Sequence, residues 1–191
     1  MTAATVDANR SADPLEARWI ELARGGDENA FAALVRQCQD QLYRVALRML
    51  GNPHDAQDAV QDAFLQGWQS LPGFRGEAQF ATWITRILLN RCHNVHRSRR
   101  PTGPLPESDA VPEMPRTPAA ETLAVDAQRR DAVRRAVLAL PLDQRAPLVL
   151  TTFGGYTHAE TGRILGISES AAKVRAHRAR RALSSVLQEW R

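Results

Sequence analysis

Six of the eleven prolines crowd into one stretch, PTGPLPESDAVPEMPRTP, residues 101–118. Proline has no backbone N–H and biases the residue before it away from the helical region. No apolar periodicity survives there, so a flexible, extended linker is expected over about 101–120. It splits the chain into two parts, 1–100 and 121–191, each long enough for a small core. Neither part contains an alternating strand pattern. The expected fold class is all-α, two small helical domains joined by the proline-rich linker. Aromatic residues make up only 6 % of the chain, which also favours small helical units.

The first part reads as helices throughout. Asp27 is placed to cap ENAFAALVRQCQDQLYRVALRML, whose apolar residues recur at i, i+3 and i+4 until Gly51-Asn52-Pro53. Further helices are expected near 15–24, 55–70 and 78–99. The second part predicts helices over 121–139 and 143–153, although Pro147 costs a hydrogen bond unless it lies in a first turn. THAETGRILGISES then reads as a helix-turn-helix. Thr157 and Glu160 make a capping box, Gly166 supplies the turn, Ile167 a buried plug and Ser168 the next cap.

Charge is segregated. Residues 49–74 carry Asp55, Asp58 and Asp62 with no Lys or Arg, whereas residues 86–100 carry five Arg and no acid. Lys173 is the one lysine among 25 basic residues. Two partners are implied, one of them anionic. Cys38 and Cys92 lie far apart without metal spacing, which suits a reducing compartment. The N-terminus lacks an apolar h-region and no apolar run approaches 18 residues, so a soluble, cytoplasmic protein is expected.

A helical wheel assigns faces to three of the helices. In GISESAAKVRAHRARRAL, Ala172, Ala176, Ala179, Leu183 and Val186 share one side. Ser170, Lys173, Val174, His177 and Arg181 share the other, with Arg178 and Arg180 at its edges. Cations and donors around one apolar contact suit a major-groove reader. In 55–70, Ala56, Val60, Ala63, Phe64 and Leu71 form the core side. Asp58, Gln61, Asp62, Leu65 and Gln69 form an exposed stripe, either a docking surface for a basic partner or a plain solvated face. In 78–99, Phe80, Ile84, Ile87, Leu88 and Val95 point inward. Gln79, Thr82, Arg86, Asn90, His93 and Arg97 line a strip able to hold unstacked bases and phosphates. Trp83 beside it is either core or a stacking platform. The preceding loop, LPGFRGEAQ, can present side chains to a flipped base.

Together these residues resemble the extracytoplasmic function (ECF) group of the sigma-70 family, the sigma factors of bacterial RNA polymerase. The resemblance covers nearly the whole chain. The run from Asn52 to Arg100 looks like family region 2, and the run from Leu138 to Leu183 looks like region 4. The resemblance implies a protein that binds core RNA polymerase through its β′ and β subunits and directs initiation at −35/−10 promoters. Asp58, Gln61, Asp62 and Leu65 match the segment that docks on the β′ coiled coil. The loop Phe74, Arg75 and Glu77, with Arg86 and Asn90, matches the part that opens and reads the −10 element. Lys173, Val174, Arg175, His177 and Arg178 match the −35 reading helix. The linker matches the segment threaded toward the RNA exit path.

The resemblance further implies a monomer when free, held by an anti-sigma factor that in many members is anchored at the inner face of the membrane. It implies no enzymatic activity, cofactor, metal or small-molecule substrate, and this chain has no room for the extra domains of housekeeping sigma factors. The sequence departs from the family at SAAKVR, where a frequent Gly-Thr-Val-Lys-Ser-Arg has its two hydroxyls replaced at Ala171 and Val174. Gly162 replaces a usual alanine, and nothing in the sequence accounts for it.

Two other readings compete. A stand-alone helix-turn-helix repressor explains 157–187 but leaves the acidic stripe unused. A metal site at Cys92 and His96, spaced i and i+4 with His93 alongside, offers two ligands without further clustered partners. No Ser/His/Asp set, paired catalytic carboxylates or Gly-rich phosphate loop stands out.

Overall fold

Eight α-helices follow one another in the computed structural model, which describes residues 13–76, 78–98 and 118–187. They are α1 (Pro14–Arg24), α2 (Glu28–Leu50), α3 (Pro53–Ser70), α4 (Phe80–Ser98), α5 (Pro118–Ala139), α6 (Leu142–Thr152), α7 (His158–Leu165) and α8 (Glu169–Leu187). A 3₁₀ turn, Leu71–Gly73, follows α3. No strand occurs among the described residues. The expected all-α class holds, and most of the proline-rich segment lies outside the described residues.

The caps read from sequence form as expected. Asp27 Oδ1 accepts from Asn29 N at 2.8 Å and Ala30 N at 3.1 Å. The third helix begins two residues earlier than expected, because Asn52 Oδ1 accepts from His54 N and Asp55 N and Pro53 takes the first helical position. One cap comes from elsewhere in the chain: Glu16 of α1 accepts from Phe80 N at 2.9 Å and so satisfies a donor at the start of α4. Pro147 is not in a first turn. It sits inside α6, buried, and the helix runs through it.

α1–α4 form one bundle. Leu34, Leu42, Val45 and Met49 from α2 pack with Ala56, Ala59 and Ala63 from α3 and with Phe80, Ile84, Leu88 and Cys92 from α4. α6–α8 form a second, smaller group around Leu148, Val149, Leu150, Ile164 and the alanines of α8. The two groups do not stand apart. Their buried residues form one continuous apolar cluster, with α6 and α5 against α2 and with α7 against α4.

Gly162 now has a reason. A Cβ at this position would lie 2.8 Å from Ile167 O and 3.2 Å from Glu169 N, both backbone atoms of the turn that joins α7 to α8. Gly166 closes that turn at φ 67°, a left-handed conformation that glycine adopts without steric cost. Glycine at 162 therefore lets the two helices of the motif approach more closely than an alanine would. Gly162→Ala is expected to destabilise the fold by about 1–3 kcal/mol, the usual range for overpacking. Helix propensity alone predicts the opposite sign, a gain of up to about 1 kcal/mol. Urea unfolding of the two proteins decides between them.

Candidate protein and nucleic-acid interfaces

The first surface lies between α2 and α3. Phe31 and Val35 of α2 face Val60, Phe64, Leu65 and Trp68 of α3 across a groove of about 520 Å³. Its floor is stiffened by an edge-to-face pair, Phe31 and Trp68, with ring centroids 5.0 Å apart. Glu28, Gln57 and Gln61 supply a polar border. The stripe expected on α3 is largely present: Asp58, Gln61, Leu65 and Gln69 are exposed, and Leu65 at 55 % is the most exposed large apolar side chain described.

Asp62 departs from that stripe. It is half-buried and pairs with Arg91 of α4, Oδ2 to Nη2 at 2.5 Å. The wheel of a single helix could not show this, because the partner comes from the neighbouring one. The groove itself was also missed, since Val60 and Phe64 read as core residues. Both are half-buried and line an open surface instead.

The second surface is the strip along α4. Arg86, Asn90 and Arg97 are exposed as expected, and Arg97 Nη2 donates to Asn94 Oδ1 at 3.1 Å. His93 is half-buried, and its pKa is held below the ordinary imidazole value, first by burial and then by the nearby His96 and Arg145 charges. Three expectations need correction or fall outside. Thr82 is buried, at 5 %, because the start of α4 is held inside the bundle. Phe74 is likewise buried, its ring centroid 4.8 Å from that of Trp83, so its ring packs into the core and is not presented to solvent. Glu77 lies outside the described residues. Arg75, between them, is exposed. Trp83 is half-buried and braces both Phe74 and Phe80.

The third surface belongs to the helix-turn-helix. The capping box at Thr157 is complete: Glu160 N donates to Thr157 Oγ1 at 3.1 Å, and Thr157 N donates to Glu160 Oε2 at 2.8 Å. Ser168 caps α8, accepting from Ala171 N at 3.2 Å. Ile167, expected as a buried plug, is only half-buried. Ala172, Ala176 and Ala179 are fully buried, and α8 turns Ser170, Lys173, Val174, His177, Arg178 and Arg181 outward. Arg175 is half-buried at the flank of that face. The side chain of Val186 lies outside the described residues.

Neither cysteine offers reactive chemistry. Burial pushes the thiols of Cys38 and Cys92 up to about 12, far from thiolate formation at neutral pH. Among the described residues no group of three or more His, Cys, Asp or Glu is arranged to hold a metal ion. No helix among them is long and apolar enough to cross a membrane.

Comparison with known proteins places the chain in a family. The family model for sigma-70 region 2 matches residues 34–102, and that for sigma-70 region 4 matches residues 130–183. The chain is 39 % identical over 166 residues to the ECF RNA polymerase sigma factor SigM of Mycobacterium tuberculosis, covering 85 % of this chain and 79 % of SigM. Its fold is similar to that of CnrH solved in complex with the cytosolic domain of CnrY, with a TM-score of 0.70, 26 % identity and coverage of 92 % and 98 % of the two chains. It is also similar to sigma factor RpoE solved with the anti-sigma factor NepR from Bartonella quintana, with a TM-score of 0.64, 23 % identity and coverage of 83 % and 96 %. The region 2 surfaces on α3 and α4 and the region 4 helix-turn-helix lie in one chain in the family's order, and this protein belongs to the ECF sigma factors of RNA polymerase, which direct transcription initiation.

Proposed function

We propose that three faces divide the work of this sigma factor. The α2–α3 groove, with Asp58, Gln61, Asp62, Leu65 and Gln69, docks on the β′ coiled coil of core polymerase. Arg75, Arg86, Asn90, His93 and Arg97 contact the −10 element, with Phe74 acting from beneath as a support for the loop. The outward face of α8 reads the −35 element. Residues 1–100 form the docking and melting domain, 101–120 the linker and 121–191 the −35 domain. The chemistry of RNA synthesis belongs to the polymerase, and this chain contributes recognition.

The observation that carries this reading is the contrast among exposed faces. The α2–α3 groove is apolar with a polar border that includes Glu28, and Asp58 is exposed on the same helix as its Leu65, whereas the outward face of α8 carries Lys173, His177, Arg178 and Arg181 and no acid after Glu169. The first suits a basic protein surface and the second suits a polyanion. An inhibitor of the NepR kind would find the same groove available when polymerase is absent. Held by a membrane-anchored partner, the protein would sit at the inner membrane face.

The test uses reconstituted holoenzyme and a set of −35 variants. Lys173→Ala and His177→Ala are expected to change the ranking of the variants, with a loss of about 1–3 kcal/mol at the bases each contacts. Arg180→Ala, at the edge of the face, is expected to weaken every promoter alike and to reduce the salt slope by about one. An identical ranking for all three proteins removes α8 as the base reader.

A further inference from the structure

One helix fastens the chain on either side of Phe74 and Arg75, and that helix is α1. Before them, Arg24 Nη2 donates to Pro72 O at 3.4 Å, while Nη1 of the same guanidinium holds Glu21 Oε1 at 3.0 Å. After them, Glu16 Oε1 accepts from Phe80 N at 2.9 Å, at the first residue of α4. A donor at a helix start is ordinarily satisfied from within its own turn or by water. An acceptor supplied from 64 positions away ties that start to another helix. Of α1 only Ala23 is buried, and Leu15 and Leu22 stand exposed. The helix adds little to the core, and the long-range bonds of Arg24 and Glu16 both end on residues that flank Phe74 and Arg75.

The turn is also held from beneath. Phe74 N donates to Leu71 O at 3.0 Å, and the Phe74 ring lies on Trp83, which in turn meets Phe80 with centroids 5.7 Å apart. Between the fastened points the outer side is open. A Cβ added at Gly73 or at Gly76 would meet no atom of the described residues within 4 Å. Gly76 moreover adopts φ 73°, a conformation that costs glycine nothing and leaves its neighbours free to pivot. The fixity of this turn therefore comes from its two ends and its floor, and the two ends depend on α1.

We infer that α1 is a clamp for base reading, with Glu16 and Arg24 as positioning residues that hold the turn of Phe74 and Arg75 in register with the α4 strip. This rests on the assignment of that turn and strip to the −10 element. A turn fixed in advance gives up less conformational freedom when it engages a base. It also sets the place of Arg75 relative to Arg86 and Asn90 before DNA arrives. Released at one end, the turn samples many arrangements and accommodates a wrong base nearly as readily as the right one. The clamp acts on discrimination between bases, and the phosphate contacts of the strip do not depend on it.

Glu16→Ala removes the acceptor, whereas Glu16→Gln keeps an oxygen at the same reach. Holoenzyme made with each is titrated onto promoter fragments that share one −35 element and differ in their −10 bases. Glu16→Ala is expected to shrink the affinity ratio between preferred and mismatched −10 sequences about three- to tenfold. Glu16→Gln is expected to keep that ratio, and the ranking of −35 variants should not move in either. Arg24→Ala, at an exposed position that folding tolerates, should shrink the −10 ratio about twofold. A purely structural role lowers the amount of active protein, so every promoter weakens alike and the ratio stays. An unchanged ratio in Glu16→Ala, or in Arg24→Ala should the first variant not fold, overturns the clamp. So does an equal loss in Glu16→Ala and Glu16→Gln, which removes the hydrogen bond as the fastener. Arg75→Ala separates the two levels. A ratio that collapses in Arg75→Ala and persists in Glu16→Ala leaves the −10 assignment standing without the clamp. A lack of any −10 preference in the unaltered holoenzyme overturns the assignment, and the clamp falls with it.

Discussion

Asp58→Arg combined with Leu65→Asp is expected to lower affinity for core RNA polymerase about a hundredfold or more, with the circular dichroism of the free protein unchanged. Leu65 is exposed at the border of the α2–α3 groove, and burying a leucine against a partner contributes about 1.5–3 kcal/mol. Reversing an exposed acid that meets a basic surface adds a cost of several kcal/mol. Together these exceed the ~2.7 kcal/mol that a hundredfold change represents. Asp62 is a poorer choice for this test. Its carboxylate already holds Arg91, so Asp62→Arg would oppose two guanidinium groups across α3 and α4 and confuse docking with folding. Titration of labelled protein with core enzyme provides the measurement, and unchanged affinity removes the groove from the docking surface.

Arg145→Met is expected to produce the largest loss of stability. Arg145 is only 3 % exposed, and it donates to Met49 O at 2.9 Å, to Leu140 O at 3.0 Å and to Leu138 O. It thereby ties the end of α2 to the corner between α5 and α6. Methionine fills much of the same volume but leaves three carbonyls without this donor. At about 1–3 kcal/mol for each buried group left unsatisfied, a total of about 3 kcal/mol or more is expected. For a domain of this size that corresponds to a fall of about 6–12 °C in thermal midpoint. A midpoint within about 2 °C of the unaltered protein would show that water replaces the guanidinium without loss.

Local chemistry was legible in the sequence and tertiary chemistry was not. Asp27, Thr157 with Glu160, Ser168 and Gly166 act on backbone groups within a few residues, so the caps and the turn of the motif could be read directly. The outward face of α8 was legible for a related reason: three alanines at helical spacing mark the opposite side as the one left over. Phe74, Thr82 and Asp62 were misjudged because their burial or pairing depends on residues of other helices. The cap that Glu16 gives to α4 spans 64 positions, and the Tyr156–Thr85 bond spans 71. Gly162 looked like a defect in a helix because the atoms it makes room for belong to the following turn.

The alanine side of α8 has a consequence for how such a protein diverges. Ala172, Ala176 and Ala179 anchor the helix through backbone proximity, and the outward residues take no part in that anchoring. Lys173, Val174 and His177 can therefore be exchanged with little effect on folding, since exposed substitutions away from caps and cores usually shift stability by no more than about 0.5 kcal/mol. With this face assigned to the −35 element as proposed above, selection acting on a duplicated gene explores new target sequences along a nearly level stability landscape. A reader built on leucines or phenylalanines would couple each change of target to a change of packing, and its descendants would diversify more slowly.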